Sequence, residues 1–346
     1  MEQKYVDFAV QKTVELLGID SPTGYTQEAA DFVYSEFAKL GYDVKYTNKG
    51  GVIVDLGGSN TEDALLIEAH MDTLGGMVAE VKSNGRLRIT NLGGLNANNV
   101  ETEECRVVTK FNGNYEGTFQ LINASVHVNG DYSTTARKFE NMEVVLDEIV
   151  DSAEEVKKLG ISIGDFVCFN PRTKVTEKGY IKSRFLDDKL SVGILLGLAQ
   201  YLKEKAITPK RRVYLHITVY EEVGHGGAAS VPEGVTEAIA VDMGCVGEGL
   251  QCTERQVSIC AKDSTGPFSY EVVKKLIAAA QKEKADYAID IYPFYGSDVK
   301  TTLAAGNDIR HGLIGPGVYA SHGYERSHKD GVMNTLKVLK GYLEIE

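Results

Sequence analysis

The stretch that decides the fold is Ala64-Leu65-Leu66-Ile67-Glu68-Ala69-His70-Met71-Asp72. A mostly apolar run this short predicts a strand buried on both faces, as in the parallel sheets of α/β proteins. It ends on an imidazole and a carboxylate. Glu221-Glu222 follow a second strand-like run, 212–220, and Asp242 follows a third, 238–241. Open α/β sheets bind their ligands beyond the carboxyl ends of strands. Three strands are therefore expected to deliver His70, Asp72, Glu221, Glu222 and Asp242 to one edge. Asp187-Asp188 opens a helical pattern over 186–205, and His322 lies in a Gly-rich loop near the C-terminus.

Outward from this core, helical spacing covers 5–17 and 26–40, with Thr26 as N-cap and Gly41 just past the end. Residues 43–47 and 52–56 read as extended. Beyond the third strand, 270–284 is helical, 287–292 and 313–314 are extended, and 330–346 is a closing helix. The texture between differs. Residues 75–175 are rich in Gly, Asn, Thr and Val, with short extended runs at 87–90, 106–111, 117–122 and 143–146. Asn112-Gly113 and Asn129-Gly130 are hairpin-type turn signals, and one short helix is expected near 152–159. An α/β domain (residues 1–74 and 176–346) is thus expected to be interrupted by a β-rich insertion (75–175).

The chain has 346 residues, long for one hydrophobic core. Its net charge of -12, from 37 basic and 49 acidic residues, disfavours a nucleic-acid grip. Five scattered cysteines without a Cys-x-x-Cys pair fit free thiols in a reducing compartment. No stretch reaches the ~20 apolar residues of a membrane span, and the first residues lack a basic-then-apolar signal. A cytoplasmic protein without a membrane or nucleic-acid partner is expected.

Carboxylates gathered at one sheet edge repel one another and require cations or protons. Two imidazoles among several carboxylates suit Zn²⁺, Co²⁺ or Mn²⁺. Each element taken singly has a plainer reading: Glu221-Glu222 as a solvated turn, Asp242 as a strand-end cap, His70 as a structural histidine. His225 and His328 are read as non-ligands, His216 as packed, and the cysteines as small buried side chains.

The segments His70-Met71-Asp72-Thr73-Leu74-Gly75, Phe185-Leu186-Asp187-Asp188-Lys189, Glu221-Glu222-Val223-Gly224-His225-Gly226-Gly227-Ala228, Val241-Asp242-Met243-Gly244, Gly296-Ser297-Asp298 and Ser321-His322-Gly323-Tyr324-Glu325 occur in order along the chain. In this the sequence resembles the glutamyl/tetrahedral aminopeptidases, co-catalytic metallopeptidases that include proteins once labelled endoglucanases. The resemblance spans nearly the whole chain. It implies a three-layer α/β sandwich with a central mixed sheet, interrupted by a β-barrel-like insertion used for dimerisation. It implies two divalent metal ions, Zn²⁺ or else Co²⁺ or Mn²⁺. Asp187 would bridge them, His70 and Asp242 would complete one, and Glu222 and His322 the other. Glu221 would be the general base, Asp72 would hydrogen-bond the free N–H of His70, and the Asp187-Asp188 peptide would be cis. The implied activity is removal of N-terminal residues from short peptides; a deacylase or amidase acting on a modified amino acid is the alternative. Dimers would assemble into a dodecamer. Thr73, Lys189, His225-Gly226 and Ser297 depart from the family pattern, which bears on the substrates accepted more than on the reaction.

Overall fold

The computed structural model describes residues 1–344. They form two compact units, Met1–Asp72 with Arg172–Glu346, and Thr73–Pro171.

In the first unit the strands Arg211–Thr218, Asn60–His70, Val235–Val241 and Arg310–Tyr319 lie side by side and parallel. Alternation sorts their side chains. Leu65, Ile67 and Ala69 enter one apolar core with Ile217, Ile239 and Val241. Leu66 enters a second core with Ala238, Ala240 and Leu313. The first core is closed by helices Gln3–Leu17, Leu186–Glu204, Tyr270–Lys282 and Lys329–Glu344, and the second by helix Asp298–Ala304 through Val299. A sheet buried on both faces needs helices on both, and this yields three layers. Antiparallel pairing of Val52–Gly57 at one side and Glu325–His328 with Tyr180–Ser183 at the other makes the sheet mixed. Thirteen strands belong to it among the described residues.

A further strand, Val257–Asp263, has no counterpart among the elements expected from the sequence. It runs antiparallel to Arg310–Tyr319 and parallel to Tyr287–Ile291. Val257 and Ile259 alternate with Ser258 and Cys260, and all four are buried, so the pattern carries no polar face to mark it. Thr26 precedes helix Gln27–Lys39 without a side-chain cap bond, whereas Gly41 follows it with the left-handed φ of +80° expected past a helix end. The last two residues of the expected closing helix lie outside the described residues.

The second unit is a closed barrel of Gly75–Val81, Leu87–Leu92, Met142–Leu146, Asn114–Leu121, Glu104–Val108 and Phe166–Phe169. Asn112-Gly113 closes the hairpin between Glu104–Val108 and Asn114–Leu121. Asn129-Gly130 closes none. It sits among local turns, with Val128 and Asn129 bonding back to Ser125, because no strands flank it. Ser152 caps the short helix Ala153–Lys158.

Register fixes what the sheet can present. Thr218 lies opposite His70, and Ala240 opposite Glu68, so Asp242 falls level with His70. At the amino ends of the same strands Glu237, fully buried, takes Arg211 at 2.7 Å, Arg310 at 3.1 Å and the Tyr342 hydroxyl at 2.6 Å. Burial alone would raise the Glu237 carboxyl, but Tyr342 and Arg211 outweigh it and hold it below its ordinary 4.5. Removing one partner of a buried pair strands the other's charge. Glu237→Ala is expected to lower unfolding stability by about 3–5 kcal/mol at neutral pH. The wild-type advantage should be full above pH 4.5 and shrink as pH falls through the lowered folded value. Urea denaturation of both proteins across pH 3–7 measures it (the range spans about four units around the ordinary carboxylate value); a difference independent of pH would refute the linkage.

Candidate metal centre

Beyond the carboxyl ends of the parallel strands the structure brings together His70, Asp187, Asp188, Glu221, Glu222, Asp242 and His322. His70 Nε2 lies 3.1 Å from Asp187 Oδ1 and 3.7 Å from Glu221 Oε2. His322 Nε2 lies 3.4 Å from Asp187 Oδ2 and 3.7 Å from Glu222 Oε2. Asp187 thus stands between the two imidazoles. Two sets present ligand atoms within 4.8 Å of one another, His70 with Asp187 and Glu222, and His70 with Asp188 and Asp242. The nearness of Asp188 to His70 and Asp242 has no signal in the sequence, because position next to Asp187 does not say which way the side chain points. The Asp187-Asp188 peptide is cis.

Carboxylates also anchor the backbone of the ligand segments. The His70 N–H donates to Asp188 at 3.3 Å. The Asp187 and His322 N–H groups donate to the two oxygens of buried Glu325, at 3.1 and 2.9 Å. Glu325 lies within a quoted motif, but nothing in its spacing announces this bridging. Asp72 differs from expectation. His70 Nδ1 meets the backbone carbonyl of Asp72 at 2.9 Å, and its carboxylate is 3.7 Å away. That carboxylate instead accepts the Glu221 N–H at 3.2 Å, the Glu222 N–H at 3.4 Å and the Thr23 hydroxyl at 2.7 Å. The reason is local: the first N–H groups of the short helical turn Glu221–Val223 lack helical partners, and Asp72 satisfies them. The carbonyl bond still orients the ring, placing a proton on Nδ1 and leaving Nε2 facing Asp187.

Three ligand segments are entered through left-handed backbone at non-glycine residues, Phe185 (φ 67°), Tyr220 (φ 70°) and Ala320 (φ 59°), and His322 itself has φ 61°. Such conformations cost of order 1–3 kcal/mol each and persist where surroundings enforce them. His225 is exposed and stacks on Tyr220 with ring centroids 4.9 Å apart. His328 Nε2 meets the Lys178 carbonyl at 2.7 Å. Neither belongs to a ligand set among the described residues. Buried His216 lies 3.4 Å from Glu68.

The charges do not balance. Burial and the neighbouring Asp242 push Asp188 well above the usual carboxylate range. Burial and Asp187 do the same to Glu222. For Glu221, burial outweighs the pull of His70 and the carboxyl again lies well above its ordinary value. Burial, with Asp187, pushes Asp242 up to about 7. Asp187 alone is held low, the two imidazoles overcoming its burial. The His322 imidazole is pushed up to about 10, chiefly by its hydrogen bond with Asp187. Oδ1 of Asp188 is buried without a hydrogen-bond partner. An acid cluster with two imidazoles and an orphaned carboxylate oxygen has the donor chemistry of a divalent-cation site, and the residues fit such a pair. His70, Asp187, Asp188, Glu222, Asp242 and His322 are the side chains that could hold it.

A profile of the M42 glutamyl aminopeptidase family matches residues 50–338. YhfE of Bacillus subtilis (strain 168), an aminopeptidase by assignment, is 42% identical over 340 residues, 97% of this chain and 98% of that one. Among solved structures, the aminopeptidase APDkam598 from the archaeon Desulfurococcus kamchatkensis superposes with a TM-score of 0.87 at 22% identity, covering 99% of this chain and 95% of that one. The Pyrococcus horikoshii TET1 peptidase, described as assembling into a tetrahedron or a large octahedral shell, gives 0.85 at 22% identity, covering 98% of this chain and 100% of that one.

Because the cluster's acids retain protons until a cation displaces them, loading with Zn²⁺ or Co²⁺ at neutral pH should release about one proton or more per chain. Affinity should fall as pH drops below about 7, where Asp242 takes up its proton. Calorimetric titration in two buffers of different ionisation enthalpy reads this directly; identical heats in both would show that no protons are displaced.

Proposed function

The chain belongs to the M42 glutamyl aminopeptidase family, a family of hydrolases, and from that premise we propose that it removes N-terminal residues from short peptides using two divalent metal ions, Zn²⁺ or else Co²⁺ or Mn²⁺. The observation that carries this reading is the convergence of His70, Asp187, Glu222, Asp242 and His322 around one acid cluster, with the Glu221 carboxyl 3.7 Å from His70. His70 and Asp242 would hold one ion, Glu222 and His322 the other, and Asp187 both. When bound, the ions would supply the Lewis-acidic charge that polarises the scissile carbonyl and lowers the pKa of water.

The chain's own residues do the rest. Glu221 takes the proton of the attacking water and delivers it to the departing amine. Its carboxyl stands 3.7 Å from the His70 ring, beside the ligand set. Asp72 fixes the backbone of Glu221 and Glu222 relative to the strand end that carries His70. The surrounding acids favour a substrate bearing an α-ammonium, which accounts for attack at the chain end. Among the described residues no helix is long and apolar enough to cross a membrane, and a cytoplasmic location fits the five free thiols. The barrel unit would carry the subunit contact of a dimer that assembles further to a dodecamer; light scattering that returned the mass of one chain would overturn this.

Aminoacyl-p-nitroanilides, with and without an N-acetyl block, test the reaction in the presence of added Zn²⁺, Co²⁺ or Mn²⁺. Free-amine substrates should be cleaved and chelator should abolish cleavage. Glu221→Gln should lower kcat by about 10²–10⁴-fold while retaining both ions. Turnover of the blocked substrates alone would replace the aminopeptidase by a deacylase or amidase, and a fully active Glu221→Gln would place the base elsewhere.

A further inference from the structure

The turn bearing Glu221 and Glu222 is under outward pressure. Both side chains are buried among like charges, while the apex, Val223, Gly224 and His225, is exposed, with His225 stacked on Tyr220. Something must hold its two stems.

Asp298, the first residue of helix Asp298–Ala304, is 3% exposed. Its carboxylate accepts the hydroxyl of Thr218, the last residue of the strand leading into the turn, and the N–H of Gly227 beyond it, the latter at 2.5 Å. One side chain therefore ties both stems. Thr302, one helical turn on, has its hydroxyl 3.0 Å from the Gly227 carbonyl and 2.9 Å from Glu68 of the central strand. This approach explains Gly226-Gly227: a Cβ at the first would overlap the Asp298 carboxylate, and at the second the Thr302 hydroxyl. From the opposite direction Lys49, half-buried in the turn between Asp43–Tyr46 and Val52–Gly57, donates to the His225 carbonyl and, at 3.1 Å, to that of Gly226. Its ammonium also interacts with the charges of Asp298 and Asp72.

We propose that Asp298 and Lys49 are positioning residues, which clamp the stems of the 219–227 turn so that Glu221 stays beside His70 and Glu222 stays beside His322. The inference rests on the reading of Glu221 as base and Glu222 as metal ligand. Asp298 acts through the main chain of the turn, and Lys49 neutralises the anchoring carboxylates while gripping the carbonyls on the other stem.

Asp298→Ala and Lys49→Met, each reconstituted with Co²⁺, test the clamp. Outer partners of ligand segments are worth about 10- to 100-fold in metal affinity or activity. Each variant should bind one of two Co²⁺ ions about 10- to 100-fold more weakly, with a changed visible absorption for that ion only. Its kcat should fall in parallel. Lys49→Arg and Asp298→Asn, which keep a donor and an acceptor respectively, should recover part of both. If Asp298→Ala does not fold, Lys49→Met, at a partly exposed turn, decides alone. Folded variants that bind both ions with wild-type affinity and spectrum overturn the clamp. A wild-type protein that itself binds no Co²⁺ pair overturns the underlying reading of the site, and the two failures are told apart by that control.

Discussion

Mutual repulsion among buried carboxyl groups is the constraint on which the rest of this structure turns. Asp187, Asp188, Glu221, Glu222 and Asp242 share one small volume with only two imidazoles. In water such groups would separate. Here they cannot, because each is fixed to an element whose position is set by apolar burial elsewhere. The strand ending at His70 is pinned by Leu65 and Ile67 on one face and Leu66 on the other. Hydrophobic burial far from the site therefore supplies the free energy that keeps the acids close. Stability is spent on a poised, charge-laden cluster, as is usual where chemistry is done.

The two ends of the sheet treat charge oppositely. At the amino ends, buried Glu237 meets Arg211, Arg310 and Tyr342, and its charge is matched. At the carboxyl ends the acids are matched to one another's main chain instead. Asp188 holds the His70 N–H, Glu325 those of Asp187 and His322, and Asp72 those of Glu221 and Glu222. An N–H dipole satisfies a carboxylate oxygen without cancelling its charge. The net negative field survives, which is what a cation site needs and a purely structural network would avoid.

Much of this was legible in the sequence, for stated reasons. The short apolar run at 64–69 predicts a doubly buried strand, and its polar ending points to the site. The short extended runs after residue 75 and the Asn112-Gly113 turn predict the β-barrel that the second unit forms. What escaped were features without periodicity. Val257–Asp263 buries both faces in a short, mixed run. Asn129-Gly130 carries the chemistry of a hairpin but lacks flanking strands. The resemblance implies that Asp72 bonds the His70 ring; its backbone carbonyl does so, while its carboxylate serves Glu221 and Glu222, distant in sequence and adjacent only through parallel pairing. Glu325 and Asp298 stand in quoted motifs, but an acid that accepts main-chain N–H groups from other segments has no spacing rule by which to be found.

The backbone N–H groups of His70, Asp187, Glu221, Glu222 and His322 are thus held by carboxylates, so these anchors add to the very charge that the ligands already carry. Burial and Asp187 push Glu325 up to about 8; burial and Glu68 push Asp298 up to about 6. Anchoring the ligands more firmly makes the fully ionised cluster more costly, and that cost is relieved by protons or by cations that displace them. Metal loading and ordering of the site are then one linked equilibrium. Of the departures from the family pattern, Lys189 is itself buried and donates to the Leu16 and Ile19 carbonyls, away from these anchors. Changing one of the anchoring acids, by contrast, would loosen a ligand and unbalance the field together.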